Sequence, residues 1–278
     1  MKIIDAHCHF ELHSHAFQVA AHKSGINFSS AGLAESTKKN NIIHSVIIGF
    51  KDMRAEDCVV LDKKAKNPIM PTLPESKYDI RLTPIAGINP HNDQADKVEE
   101  ALKSGKIKGL KIFLGYYHFA ANYKIYYKFY ELAEKYKVPV IFHTGDTYSK
   151  VAKLKFSQSL PVDEVAVDFP KLKIVIAHIG NPNIMEAAQV LYKNENVFAD
   201  LSGLIVGRHE QFATREAEKV RKRIMDCFDF SENPKKFMFG SDWPLASHDD
   251  YIEFIKKAVP EEYHEDVFYN NAKRVFEI

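Results

Sequence analysis

The chain has 278 residues, 45% of them hydrophobic, and its 38 Lys and Arg residues balance 37 Asp and Glu to a net charge of +1. That balance leaves no electrostatic footprint for nucleic acid or a membrane surface, and the length suits one α/β barrel that buries a large core without cross-links. The three cysteines, Cys8, Cys58 and Cys227, lack the spacing of a disulfide framework and read as reduced thiols of a cytoplasmic protein. The opening MKIIDAHCHF has no apolar signal core, and no run reaches the ~20 apolar residues of a membrane-spanning helix.

In chain order, eight short apolar runs read as strands: 2–6, 42–50, 83–89, 107–113, 138–143, 173–178, 196–200 and 237–241. Their mostly continuous apolar character is that of strands buried on both faces. Helical stretches separate them, at 30–40, 93–104, 123–137, 162–169, 183–194, 210–228 and 249–259. In 123–137, Tyr126, Phe129, Tyr130 and Ala133 share one helical face. Asn92 and Asn183 read as helix caps. Strands alternating with helices are parallel βαβ units, and eight of them predict a (β/α)8 TIM barrel in a single domain over 1–278. Two connections exceed what a barrel needs, 10–29 and 52–82, and predict lids or binding loops.

His7 and His9 end the first predicted strand in DAHCHF. Alternate side chains of a strand share a face, so both imidazoles point one way and Cys8 the other. Two converging imidazoles suit a borderline ion such as Zn²⁺. His143 ends the fifth strand in PVIFHTGD, His178 the sixth in IVIAHIGN, and Asp242 follows the eighth in FMFGSDWP. Singly, each histidine would read as a satisfied core or surface residue. In a TIM barrel, however, the C-terminal strand ends form one rim, so these five residues are expected to meet there.

This pattern, with the runs IDAHCHF, KGLKIF, VPVIFHTGD, KIVIAHIGN, FGSDWP and NNAKRVF, resembles the amidohydrolase superfamily, and within it the amidohydrolase 2 branch of TIM-barrel metal-dependent hydrolases. The resemblance spans the chain. It implies His7, His9 and His143 as metal ligands, with Asp242 as a further ligand that also shuttles a proton from metal-activated water to the leaving group. His178 then either binds a second metal or orients the water and polarises the substrate. Lys111, in GLKIF at the fourth strand, is either a carboxylated bridge between two metals or a contact to an anionic substrate. The branch implies Zn²⁺ or another divalent transition metal, with one ion favoured over two.

Other residues near the rim are weaker candidates. Asp146, Tyr148, Tyr116, Tyr117, His118 and Glu11 could touch substrate, and Trp243 could shape the pocket or fill the core. His13, His15 and His22 read as a solvated loop, and His248 as a surface or helix-start residue. Asp200 and Ser202 are placed to hydrogen-bond the ligands. The charged stretch 216–223 reads as a solvated helix face.

Three functions compete. Hydrolysis of an ester, lactone or amide in a small molecule leads. Non-oxidative decarboxylation of an aromatic or unsaturated acid is the first rival. In the branch, decarboxylases of phenolic acids often carry Glu where this chain keeps His7. A barrel that binds without catalysis is the second rival. The expected partner is a small-molecule substrate, with self-association into a homodimer and with neither nucleic acid nor membrane.

Overall fold

The computed structural model describes residues 1–53 and 59–278, so Cys58 lies outside the described residues. The described strands are β1 (Ile3–Cys8), β2 (Ile42–Ile48), β3 (Asp52–Met53), β4 (Val60–Leu61), β5 (Leu82–Ile88), β6 (Leu110–Ile112), β7 (Val140–His143), β8 (Ile174–Ala177), β9 (Val197–Asp200) and β10 (Phe237–Met238). Eight form one parallel sheet in the order β1-β2-β5-β6-β7-β8-β9-β10, and β3 pairs antiparallel with β4 inside the second long connection. The sheet closes on itself. The Ala6 N–H donates to the Phe239 carbonyl at 3.0 Å, and Cys8 bridges in parallel to Trp243. The fold is therefore a (β/α)8 TIM barrel.

Strand alternation sorts the side chains into two cores. Leu110, Ile112, Val140, Phe142, Ile174 and Ile176 point outward and join the helix residues Phe129, Tyr130, Val165 and Leu191 in one cluster. The intervening Ile141 and Val175, with Ile4, Val46, Ile85 and Met238, fill the barrel interior. By the same alternation Lys111 points inward. Each buried large aliphatic or aromatic side chain contributes about 1.5–3 kcal/mol. An interior lysine forgoes that gain and adds a desolvation cost.

The α-helices among the described residues are α1 (His15–Ser24), α2 (Ser30–Lys39), α3 (Ala95–Lys103), α4 (Tyr127–Tyr136), α5 (Leu160–Asp168), α6 (Ile184–Lys193), α7 (His209–Phe212), α8 (Arg215–Ser231), α9 (His248–Lys256) and α10 (Asn271–Phe276). The first long connection is thus partly helical, which the sequence reading missed. Ser14 caps α1 by accepting from the Phe17 N–H, and Gly25 ends it in the left-handed region at φ 67°. The single helix expected over 210–228 divides in two, because Thr214 caps a new helix by accepting from the Ala217 N–H. Along α8, Ala217, Val220 and Ile224 are buried while the charges between them face solvent.

Two expected caps need correction. Gln94, not Asn92, precedes α3, and Asn92 instead donates to the Ala65 carbonyl. Asn183 does sit at the start of α6, but its side chain donates to Gln158 Oε1 and caps nothing. No described helix is long and apolar enough to cross a membrane.

Candidate metal centre

The pairing of β1 with β2 shifts register between Asp5 and Cys8. Ala6 belongs to the interior cluster, and the irregularity lets His7 and His9 present their rings to the same interior rim. His7 Nδ1 donates to Asp200 Oδ2 at 2.8 Å, and His9 Nδ1 donates to the Ile48 carbonyl at 3.3 Å. Both partners can only accept, so each ring carries its hydrogen on Nδ1 and turns a lone pair on Nε2 into the site. Asp242 enters from the loop after β10 with φ 58°. Its Oδ1 lies 3.4 Å from His9 Nε2 and 3.7 Å from His7 Nε2.

These three donor atoms all lie within 4.8 Å of one another. His7 Nε2 and Asp242 Oδ1 are buried without any hydrogen-bond partner. Buried orphans cost about 1–3 kcal/mol each, so such a pair of acceptors calls for something positive between them. Two imidazole nitrogens and a carboxylate oxygen are the donor set of a divalent ion such as Zn²⁺. The residues present fit the metal that the sequence pattern implies.

His143 faces inward from the last position of β7, as alternation with Ile141 requires. His178 follows the interior residue Ala177 and would point outward in a continued strand. The chain instead turns at once, with His178 at φ 62° and Ile179 at φ 46°, which returns the imidazole to the rim. The turn is held by the His178 N–H, which donates to Asp200 Oδ1 at 3.0 Å. Asp200 also accepts from the Ser202 N–H at 3.1 Å and from the Ser202 hydroxyl. This one carboxylate thus orients His7, His178 and Ser202 together, and it holds the place expected of it.

The five sequence-expected ligands do not converge equally. His178 Nδ1 lies 3.0 Å from Ser202 Oγ and 3.9 Å from Asp242 Oδ2, beside the three-donor set. His143 is turned away from that set. Its Nδ1 meets His178 Nε2 at 3.1 Å, and its Nε2 donates to the Asp146 carbonyl at 2.9 Å. Ligation by His143 would require giving up one of these contacts. Glycine clears the space between the loops: a Cβ on Gly203, at φ +64°, would stand 2.6 Å from Asp242 Oδ2 and 2.9 Å from His178 Nδ1.

Burial dominates the electrostatics. It holds His7, His9 and His178 well below the ordinary imidazole range and brings His143 down to about 3, with the Lys111 ammonium lowering all four further. All four rings are therefore neutral, the form that binds metals. Burial also raises Asp242 to about 7, against the pull of Lys111. Lys111 is only 1% exposed and its Nζ has no hydrogen-bond partner. Burial lowers its pKa to about 8, while Asp200 and Asp242 pull it upward.

The remaining candidates scatter around the rim. The Tyr116 ring meets His143 edge-on at 4.9 Å, and its hydroxyl accepts from the Tyr148 N–H at 3.0 Å. Asp146, Tyr148, His13 and His22 are exposed, and His15 is half-buried at the start of α1. Tyr117 is fully buried, and His118 stacks on Phe156. Glu11 accepts from the Thr72 hydroxyl at 2.6 Å, tying the two long connections together. Trp243 is 1% exposed and stacks on Phe10, so it fills the core.

His248 does begin a helix, but it is not a surface residue. It is fully buried and donates from Nε2 to Asp5 Oδ2 at 3.0 Å, because the buried Asp5 carboxylate draws donors inward. Sequence reading also missed an aromatic wall. Phe17 stacks on His9 at 4.6 Å and leads through Phe50 at 4.8 Å to Phe113 at 5.5 Å. The Ser14 cap and Gly25 stop of α1 were the available signal for Phe17.

The profile of the amidohydrolase family, in its amidohydrolase 2 form, matches residues 4–278. The chain belongs to the amidohydrolase family. Solved structures share the fold of this chain over its full length. An uncharacterised TIM-barrel protein from Bordetella bronchiseptica is 16% identical, with TM-score 0.72 and coverage of 100% of this chain and 99% of the other. A probable 2-pyrone-4,6-dicarboxylic acid hydrolase from Acinetobacter baumannii, solved with citric acid, is 16% identical at TM-score 0.64, with both chains covered 100%. The 5-carboxyvanillate decarboxylase of Sphingomonas paucimobilis is 12% identical at TM-score 0.62, with 100% and 99% coverage. No curated protein matches the chain by sequence. Members of the family are typically metal-dependent enzymes, and a probable hydrolase and a decarboxylase stand among the structural neighbours.

Proposed function

We propose that the protein hydrolyses an ester, lactone or amide bond of a small anionic molecule, using one divalent ion, best Zn²⁺. The observation that carries this reading is the meeting of His7 Nε2, His9 Nε2 and Asp242 Oδ1, two of them buried orphans, on the barrel rim. These three residues would hold the ion. When bound, such an ion would polarise a carbonyl and lower the pKa of water to about 7.

The chain's own residues do the rest. Asp242 accepts the proton that water gives up and delivers it to the leaving group, a transfer typically worth about 10²–10⁴ in rate. His178, held at its backbone by Asp200, would orient the attacking oxygen or the substrate carbonyl once its Nε2 leaves His143. Lys111 offers an unpaired ammonium to a substrate carboxylate, and the wall of Phe17, Phe50 and Phe113 excludes water from that contact.

The test is a panel of carboxylate-bearing lactones, esters and amides offered to the Zn²⁺-loaded protein, with acid release and CO₂ followed together. Acid release without CO₂ is expected. CO₂ release without carbonyl cleavage would contradict the reading and install decarboxylation in its place. Lys111→Met is expected to raise KM for a cleaved carboxylate substrate at least ~10-fold while lowering kcat less, since an anchoring contact is uniform binding. An unchanged KM would remove Lys111 from the binding role.

A further inference from the structure

A second group of ligand-type side chains lies behind the first. Asp5, Cys8 and His248 are all buried, with donor atoms within 4.8 Å of one another. Unlike the rim set, this group contains no orphan atom. Asp5 Oδ2 accepts from Cys8 Sγ at 2.9 Å, from the Ser241 hydroxyl at 2.5 Å and from His248 Nε2 at 3.0 Å. Asp5 Oδ1 accepts from the Ser241 N–H at 2.9 Å and from the His7 N–H at 3.2 Å. His248 Nδ1 meets Ser36 Oγ at 2.8 Å, and its ring stacks on Trp243 with an interplanar angle of 12°. Both Asp5 oxygens and the His248 ring nitrogen not bound to Asp5 already face donors, and the Cys8 thiol spends its hydrogen on Asp5, so this group does not read as a second metal centre.

The chain positions of those donors are informative. His7 is itself a rim residue, Cys8 separates His7 from His9, and Ser241 immediately precedes Asp242. One carboxylate therefore grips both segments that supply the three-donor set. The two segments are also zipped directly, by the Asp242 N–H donating to the His7 carbonyl and the His9 N–H donating to the Trp243 carbonyl, both at 2.8 Å. His248 in turn fixes the carboxylate, and Ser36 fixes His248 from α2.

We propose that Asp5 and His248 form a positioning pair that sets the separation of His7 and His9 from Asp242 and so governs metal affinity from behind the site. The inference rests on the metal reading above. It differs from a packing role in one respect: loosening α9 elsewhere should cost stability but not metal binding.

The experiment is Zn²⁺ titration of metal-depleted protein against a competing chromophoric chelator, with thermal melting of the metal-free form measured alongside. His248→Leu removes the donor to Asp5 and is expected to weaken Zn²⁺ binding at least ~10-fold, as loss of outer hydrogen bonds to metal sites does. His248→Gln keeps an N–H for Asp5 and is expected to stay within about threefold of wild type. Ser241→Ala removes another donor at little cost in volume and supplies the answer should His248→Leu not fold; a loss of at least about threefold is expected. Ile252→Ala, in the core face of the same helix, is expected to lower the melting temperature and leave Zn²⁺ affinity unchanged. Wild-type affinity in both His248→Leu and Ser241→Ala would overturn the proposal, and so would an equal loss in Ile252→Ala. A wild-type protein that takes up no Zn²⁺ would instead overturn the metal reading itself.

Discussion

Asp242 carries opposing demands at the residue scale. It is buried, which raises its pKa to about 7, yet it must be ionised to bind a cation. In the metal-free protein the carboxyl holds a proton below that pH and loses it above. The histidines are depressed and stay neutral on both sides. Apparent Zn²⁺ affinity should therefore fall as pH drops through about 7, approaching tenfold per unit once Asp242 is mostly protonated. Chelator competition between about pH 6 and 8 measures this, and a flat profile would contradict it. Asp200 makes a second residue-scale prediction. Asp200→Asn loses the acceptor that fixes the tautomer of His7, and Zn²⁺ affinity should drop about 10–100-fold in the same titration. An Asn that binds Zn²⁺ like wild type would show that His7 orients itself.

Elements bring these residues together through strand ends and the loops that follow them. The barrel strands were readable because each is apolar on both alternations, as Ile141 and Phe142 in β7 show, one facing the interior and the other the helices. The strand-end histidines and Asp242 were readable for the same reason, since the barrel puts every strand end on one rim. Their orientation was not. His178 owes its direction to a positive φ that no histidine advertises, and His143 is turned by a backbone carbonyl three residues ahead. The Asp5–His248 contact joins positions 243 apart, with no local signal in either segment. Gly203 tests the loop geometry. Gly203→Ala places a methyl against Asp242 and His178 at a φ that L-residues avoid, so stability should fall by about 1–3 kcal/mol. Denaturant unfolding would show this, and an unchanged midpoint would mean that the two loops can separate.

At the scale of the whole molecule the candidate metal site lies where the first and last strands of the barrel meet. His7 comes from β1 and His9 directly follows it, while Asp242 comes from the segment after β10 that pairs with it. An ion held there would cross-link the barrel at its closure. Because binding is confined to the folded state, Zn²⁺ at 100 times its Kd should add about 2.7 kcal/mol to stability. Calorimetry with Zn²⁺ and with chelator would record the difference, and identical melting temperatures would mean that the folded state binds no ion selectively. The central claim is the metal site itself, and metal analysis of the purified protein tests it most directly. About one equivalent of a divalent transition metal is predicted in the wild type, with marked loss in His7→Ala. Less than about a tenth of an equivalent, with no uptake on adding Zn²⁺, would contradict the account.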